Sequence, residues 1–187
     1  MRIEPQSIPG VFAITPKRHG DARGYFFETF RADVFAAHAP GVSFVQDNQS
    51  LSAEAGTIRG LHFQTPPFAQ AKLIRVLAGA ILDVAVDIRQ GSPTYGKHVA
   101  QRLDAETGTQ LFVPAGFAHG FCTLEPGTLI AYKVSAYYSA ANDRGLAFDD
   151  PALAIAWPVA ADKATLSAKD RTHPKLADLA PAFTHPA

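Results

Sequence analysis

A chain of 187 residues has room for one domain with a substantial core, and its 47% hydrophobic and 18% charged residues are those of an ordinary globular protein. Lys+Arg (17) balance Asp+Glu (17), which argues against broad electrostatic capture of nucleic acid or of an anionic membrane. One cysteine, Cys122, rules out an intrachain disulfide and fits a reducing cytoplasm, while the start Met1-Arg2-Ile3-Glu4-Pro5 lacks an apolar signal core and no stretch approaches the ~18 apolar residues of a membrane span.

Most of the chain reads as short strands between turns. The aromatic-rich residues 25–30 (Tyr-Phe-Phe-Glu-Thr-Phe) are strand-like, and 31–39 suit a short helix. Strands follow at 44–51, 57–63, 72–78 and 80–88. In the last of these Leu82, Val84, Val86 and Ile88 alternate with Ile81, Asp83, Ala85 and Asp87, after a tight turn at Gly79. Further strands are expected at 97–103, 110–113, 117–124 and 128–135, punctuated by glycines and prolines such as Gly91, Pro93, Gly96, Pro114 and Gly127. Many short strands with regular turn signals predict an all-β sandwich or barrel. A doubly wound fold is disfavoured because strand–helix alternation is missing. The barrel core is expected over about 20–150, and the Ala- and Pro-richer tail 151–187 as helix and loop packed on it, all within one domain spanning 1–187.

Several segments carry residues suited to chemistry. Gly60-Leu61-His62-Phe63-Gln64 is followed by Lys72, and a barrel strand can aim such side chains inward. A neutral imidazole beside an ammonium makes a base next to an enolate stabiliser. A lone His or Lys is, however, more often structural or solvated. Pro114-Ala115-Gly116-Phe117-Ala118-His119 feeds a second histidine into a strand, a position that ligates metal in metal-binding cupins. The preceding His-x-His is absent here, so two histidines fall short of a three-ligand site and a metal-free barrel is expected. Tyr132 lies in an apolar strand and can be plain core or a proton donor. Tyr137-Tyr138 offers a flat surface for a base or sugar. Arg23, Arg59, Lys72, His119 and Lys169 are cationic candidates for a diphosphate, each alone more often a surface charge. Cys122, in an apolar run, reads as a buried hydrophobe.

In order along the chain, Gly20–Glu28, Phe44–Ser50, Thr57–Gln64, Gln70–Val76, Val113–Phe121, Tyr132-Lys133, Tyr137–Ser139, Phe148–Pro151 and Leu166–Asp170 resemble the motifs of the dTDP-4-dehydrorhamnose 3,5-epimerase family. The resemblance implies a jelly-roll (cupin-like) barrel, a cytoplasmic homodimer with exchanged N-terminal strands, and no metal or organic cofactor. It also implies epimerisation of dTDP-4-dehydro-6-deoxy-D-glucose to dTDP-4-dehydro-L-rhamnose. His62 would be the base, held in its tautomer by Asp170; Lys72 would stabilise the enolate; and Tyr132 would return a proton from the opposite face. Arg23, Glu28, Gln46, Asn48, Arg59, His119, Tyr138, Asp143 and Lys169 would line the substrate site. Phe63, Phe68, His19 and Asp143 stand where the family more often has a Tyr, a small or polar residue, an aromatic and a Glu.

Three rival readings remain at this stage: a 3-epimerase of the same fold that inverts one carbon, a metal-dependent cupin enzyme, and a non-catalytic sugar-binding barrel. The joint presence of His62, Lys72, Tyr132 and Asp170 counts against the last. One local conflict needs a structural answer. Arg59 and His62 are three residues apart and would face opposite sides of a regular strand. A bulge or bend at Gly60 is therefore expected if both serve one site.

Overall fold

The computed structural model describes residues 1–185. Two antiparallel sheets make up the body. The first has six strands: β1 (Arg2–Pro5), β2 (Phe12–Thr15), β11 (Gln110–Val113), β7 (Lys72–Ala78), β13 (Thr128–Val134) and β5 (Gln46–Ser52), in that spatial order. The second has five: β10 (His98–Asp104), β8 (Ala80–Asp87), β12 (Phe117–Thr123), β6 (Ile58–Gln64) and β14 (Asp143–Gly145). The sheets face each other as a jelly roll and are not joined into a closed barrel. The strands anticipated from 44 to 135 are present to within a few residues at either end.

Between the sheets lies a core that includes Ile74, Val76, Ile81, Ala85, Val99, Leu103, Leu111, Phe117 and Ile130. Each aliphatic side chain buried there contributes roughly 1.5–3 kcal/mol. Strand β8 shows why alternation worked in this chain. Its Ile81 and Ala85 enter this core, while Val84 and Val86 face the other way into a second cluster. That outer cluster is covered by Leu153, Ile155, Trp157, Leu176, Leu179 and Phe183 of the tail. β8 is buried on both faces, which explains its nearly continuous apolar sequence.

Three expectations need correction. The core begins well before residue 20, because β1 and β2 pair with each other and β2 pairs with β11 of the same chain. The aromatic segment 25–30 forms only a short strand, β4 (Gly24–Phe26), in a hairpin with β3 (His19–Asp21). Beyond it Phe30 turns to pack on Phe35 and Phe44, with ring centroids 5.6 Å away in both cases; burying the ring outweighs strand propensity. Phe35 is the buried residue of the one α-helix among the described residues, α1 (Ala32–Ala36), which stops ahead of Pro40. The tail, expected as helix and loop, is loop with a single 3-10 turn at Leu176–Asp178. It also adds a two-residue strand, β15 (Phe183–Thr184), parallel to β9 (Arg89–Gln90).

Candidate active site

One end of the space between the sheets is polar. His62 of β6, His119 of β12 and Asp83 of β8 come from one sheet. Lys72 of β7, Tyr132 of β13 and Gln46 and Asn48 of β5 come from the other. Two adjoining cavities of about 260 and 250 Å³ share His62, Lys72, Tyr132 and Lys169. Arg59, His119 and Asp170 line the first, and Gln46, Asn48, Tyr138 and Asp143 the second.

The bulge anticipated at Gly60 is present. His119 pairs with His62 and Phe121 with Arg59, so three residue steps in β6 oppose two in β12. The extra residue lets Arg59 and His62 line the same cavity. Gly60 has φ +142°, and a Cβ there would lie 2.5 Å from the Cα of Gly120, so nothing larger fits either side of this close approach. The Arg59 guanidinium crosses to the opposite sheet and donates to Ser52 Oγ (3.2 Å) and the Leu51 carbonyl (3.0 Å).

His62 Nε2 lies 2.5 Å from Oδ1 of Asp170, a buried carboxylate brought in by the tail. Burial alone would raise the Asp170 carboxyl, but the hydrogen bond and charge of His62, together with Ser167, outweigh it and hold the carboxyl below its usual range. With Nε2–H donated to the carboxylate, Nδ1 of His62 is left as the basic nitrogen. Lys72 is buried and donates to the His62 carbonyl at 3.1 Å. Burial lowers its ammonium to about 8, partly opposed by Asp83 and Asp143; near neutral pH it remains charged. Burial raises the Tyr132 phenol above its usual value, with Arg59 opposing, which keeps a proton available for donation. His119 Nε2 lies 2.8 Å from buried Asp83 Oδ1, and burial holds its imidazole below the usual value against the pull of Asp83.

The remaining expected residues divide into two groups. Lys169 is ion-paired with Asp143, which also accepts from the Tyr138 hydroxyl at 3.2 Å. Gln46 donates to Asn48 Oδ1 at 2.8 Å and accepts from the Tyr138 backbone N–H at 3.1 Å. These five all border the cavities. Arg23 and Glu28 do not. Arg23 is 89% exposed, paired with Asp21 at the tip of the β3–β4 hairpin, which bonds to neither sheet. Glu28 lies 4.0 Å from exposed Arg31. The hairpin that carries Arg23 projects from the body, so neither residue borders this chain's own cavities.

Two residues at the site went unnoticed in the sequence. Asp83 was legible as a carboxylate on the inward side of an apolar strand, between Ile81 and Ala85. His173 had no such signal; it lies in the irregular tail beside Asp170. Donor atoms of His62, Asp170 and His173 fall within 4.8 Å of one another, the one such grouping among the described residues. Within this set His62 and Asp170 are joined by a 2.5 Å hydrogen bond.

A family model described as dTDP-4-dehydrorhamnose 3,5-epimerase matches residues 5–178. A protein of that name from Sinorhizobium fredii is 54% identical over 185 residues, covering 99% of this chain and 94% of its own. A crystal structure of dTDP-6-deoxy-D-glucose-3,5-epimerase from Legionella pneumophila, in complex with dTDP-4-keto-L-rhamnose, superposes with a TM-score of 0.94 at 40% identity, covering 100% of this chain and 99% of that one. A 3'-monoepimerase from Streptomyces bikiniensis, in complex with dTDP-quinovose, gives 0.86 at 37% identity, with 93% and 87% covered.

Proposed function

Because the chain belongs to the dTDP-4-dehydrorhamnose 3,5-epimerase family, we propose that it inverts C3 and C5 of dTDP-4-dehydro-6-deoxy-D-glucose, giving dTDP-4-dehydro-L-rhamnose. The observation that carries the mechanism is the origin of the two proton-handling groups. His62, backed by Asp170, stands on one sheet, and Tyr132 stands on the other, with buried Lys72 lining the same cavity.

His62 Nδ1 removes the proton on a carbon next to the C4 ketone. Asp170 stabilises the imidazolium and holds the ring in position. The carbanion delocalises onto the ketone oxygen, where the buried Lys72 ammonium stabilises the enolate. The Tyr132 phenol returns a proton to the other face, which inverts the carbon. Arg59, near the cavity mouth, suits the diphosphate. Tyr138, with Gln46, Asn48, Asp143 and Lys169, borders the other end. His119 lines the wall beside Lys72.

The residues 1–187 act as one epimerase domain, a reading supported by β1, β2 and the tail all packing on the same two sheets. The enzyme works as a homodimer, with the β3–β4 hairpin as the exchanged N-terminal segment. It leaves Tyr25 and Phe26 56% and 66% exposed, and such aromatics suit a protein interface. Arg23 and Glu28 then serve the partner's cavity. Sedimentation of the full chain tests this, and a monomer that is fully active rejects it. The unpaired Cys122 supports a cytoplasmic setting, and no described helix is long and apolar enough to cross a membrane.

Incubation with dTDP-4-dehydro-6-deoxy-D-glucose in D2O, followed by NMR, tests the reaction. Deuterium at both C3 and C5 is expected. Deuterium at C3 alone would instead match the monoepimerase reading that the Streptomyces neighbour keeps open.

A further inference from the structure

We propose that His173 is a positioning residue for the His62–Asp170 pair, aiming its Nε2–H at the same carboxylate oxygen that His62 uses. The inference rests on His62 being the base. His173 Nε2 lies 3.4 Å from Asp170 Oδ1, and His62 Nε2 lies 2.5 Å from that same atom. The two imidazole rings meet edge to face, 5.6 Å apart and inclined at 79°. The His173 side chain is 8% exposed, and its Nε2 is buried without a hydrogen-bond partner.

A buried polar nitrogen without a full partner is costly, and an aliphatic side chain would fill the same space without that cost. The backbone nevertheless makes a specific seat for the ring. Gly145 pairs with His62 in the ladder between β14 and β6, and a Cβ at 145 would lie 2.3 Å from the His173 ring. The missing side chain at 145 is thus what admits the imidazole. The flanking segment is pinned by Ala147 N–H donating to the Pro174 carbonyl at 2.8 Å and by Leu176 N–H donating to Asp150 Oδ2 at 2.7 Å.

Burial, with the neighbouring His62 and Lys169, holds the His173 imidazole below its usual value, and Asp170 opposes this. The ring is therefore neutral near neutral pH and carries one N–H. The other charged groups near it are Asp143 and Lys169, which pair with each other, and Arg144, which donates to the carbonyls of Ala141 and Asp143. None of these takes the His173 Nε2.

An Nε2–H that closes the 3.4 Å gap to Asp170 Oδ1 does two things. It fixes the orientation of the carboxylate that aligns His62. It also draws carboxylate charge away from His62, so that Asp170 stays ionised and His62 releases its proton readily between turnovers. Without that donor the carboxylate holds the imidazolium more tightly, and the neutral base is available over a narrower range of pH.

The test compares His173→Leu, which removes the donor, with His173→Gln, which keeps one, in full pH profiles of kcat and KM, alongside His62→Ala. In His173→Leu the acid limb of kcat should move to higher pH by about half to one unit, the size of one ordinary hydrogen bond, with KM little changed. His173→Gln should restore most of the wild-type limb. His173→Met is read in the same way if His173→Leu does not fold. Profiles of the Leu or Met variant that overlay the wild type, while His62→Ala is inactive, would overturn the role of His173 and leave His62 as base. An active His62→Ala would overturn both. Equal losses in the Leu and Gln variants with unmoved limbs would reduce His173 to packing.

Discussion

The cavity holds two histidine–carboxylate pairs, and they are built differently. His62 and His119 are cross-strand partners, each with Nε2 directed at an aspartate Oδ1. His62 keeps 32% of its side chain exposed and takes its carboxylate from the tail, more than a hundred residues away in sequence. His119 is 8% exposed and takes Asp83 from the neighbouring strand β8. A base must reach a carbon acid and then exchange its proton with water, which the exposed ring can do. The buried ring sits beside Lys72 and Asp83, where burial keeps it neutral. Two histidine–aspartate pairs, one strand apart, thus differ in their reach to solvent because one ring is enclosed and the other is not.

The widest separation between the pairs should come from removing each histidine. In His62→Ala, deuterium exchange at C3 and C5 should fall by about 10²–10⁴, the contribution of a positioned general base, while dTDP binding persists. His119→Asn should lose less. Equal losses would erase the distinction between the rings.

Tyr132→Phe breaks the symmetry between the sheets instead. His62, Asp170 and Lys72 remain, so exchange should continue, while net epimerisation should drop by about 10² or more, the lower range for a general acid. Unimpaired product formation, measured by NMR of the sugar, would assign the second proton to another acid.

Asp83→Asn probes the buried pair. Asp83 favours the Lys72 ammonium, which even with that support loses its proton at about 8. The wild-type rate should therefore decline on an alkaline limb near pH 8, and the variant's limb should lie lower. Stability responds with a definite sign. Burial keeps His119 neutral, so the folded state binds fewer protons than the unfolded one; stability is full above the unfolded value of about 6.5 and declines as pH falls through it. Asp83 opposes that depression, so the variant should lose more of its Tm than the wild type on acidification. Parallel Tm curves would contradict it. The smallest effect is expected at Arg59: Arg59→Ala should weaken dTDP-sugar binding roughly tenfold, about one charged hydrogen bond, with the saturated exchange rate nearly unchanged. A loss confined to that rate would move Arg59 from the diphosphate to the chemistry.

How much of this was legible beforehand depends on the range of each interaction. β8 was readable because alternation is a property of neighbours a few residues apart. The bulge at Gly60 was readable for the same reason, since the spacing of Arg59 and His62 conflicts with a regular strand. β1 and β2 were missed because Arg2–Pro5 and Phe12–Thr15 are four residues each, and the second is buried with no polar alternation. The segment after Phe26 was misread because its strand propensity yields to a distant aromatic cluster of Phe35, Phe44 and Phe112.

The amino-acid sequence by itself determined the strand pattern, the family resemblance, and which side chains could act as acid, base and cation. Only the tertiary structure decided which histidine is reachable and which is enclosed, that Arg23 projects away from its own chain's cavity, and that Asp83 and His173 stand behind the two rings. The reason is physical. Local periodicity is encoded residue by residue, whereas exposure and electrostatic environment depend on groups brought together from opposite sheets and from a tail whose order no local pattern reveals.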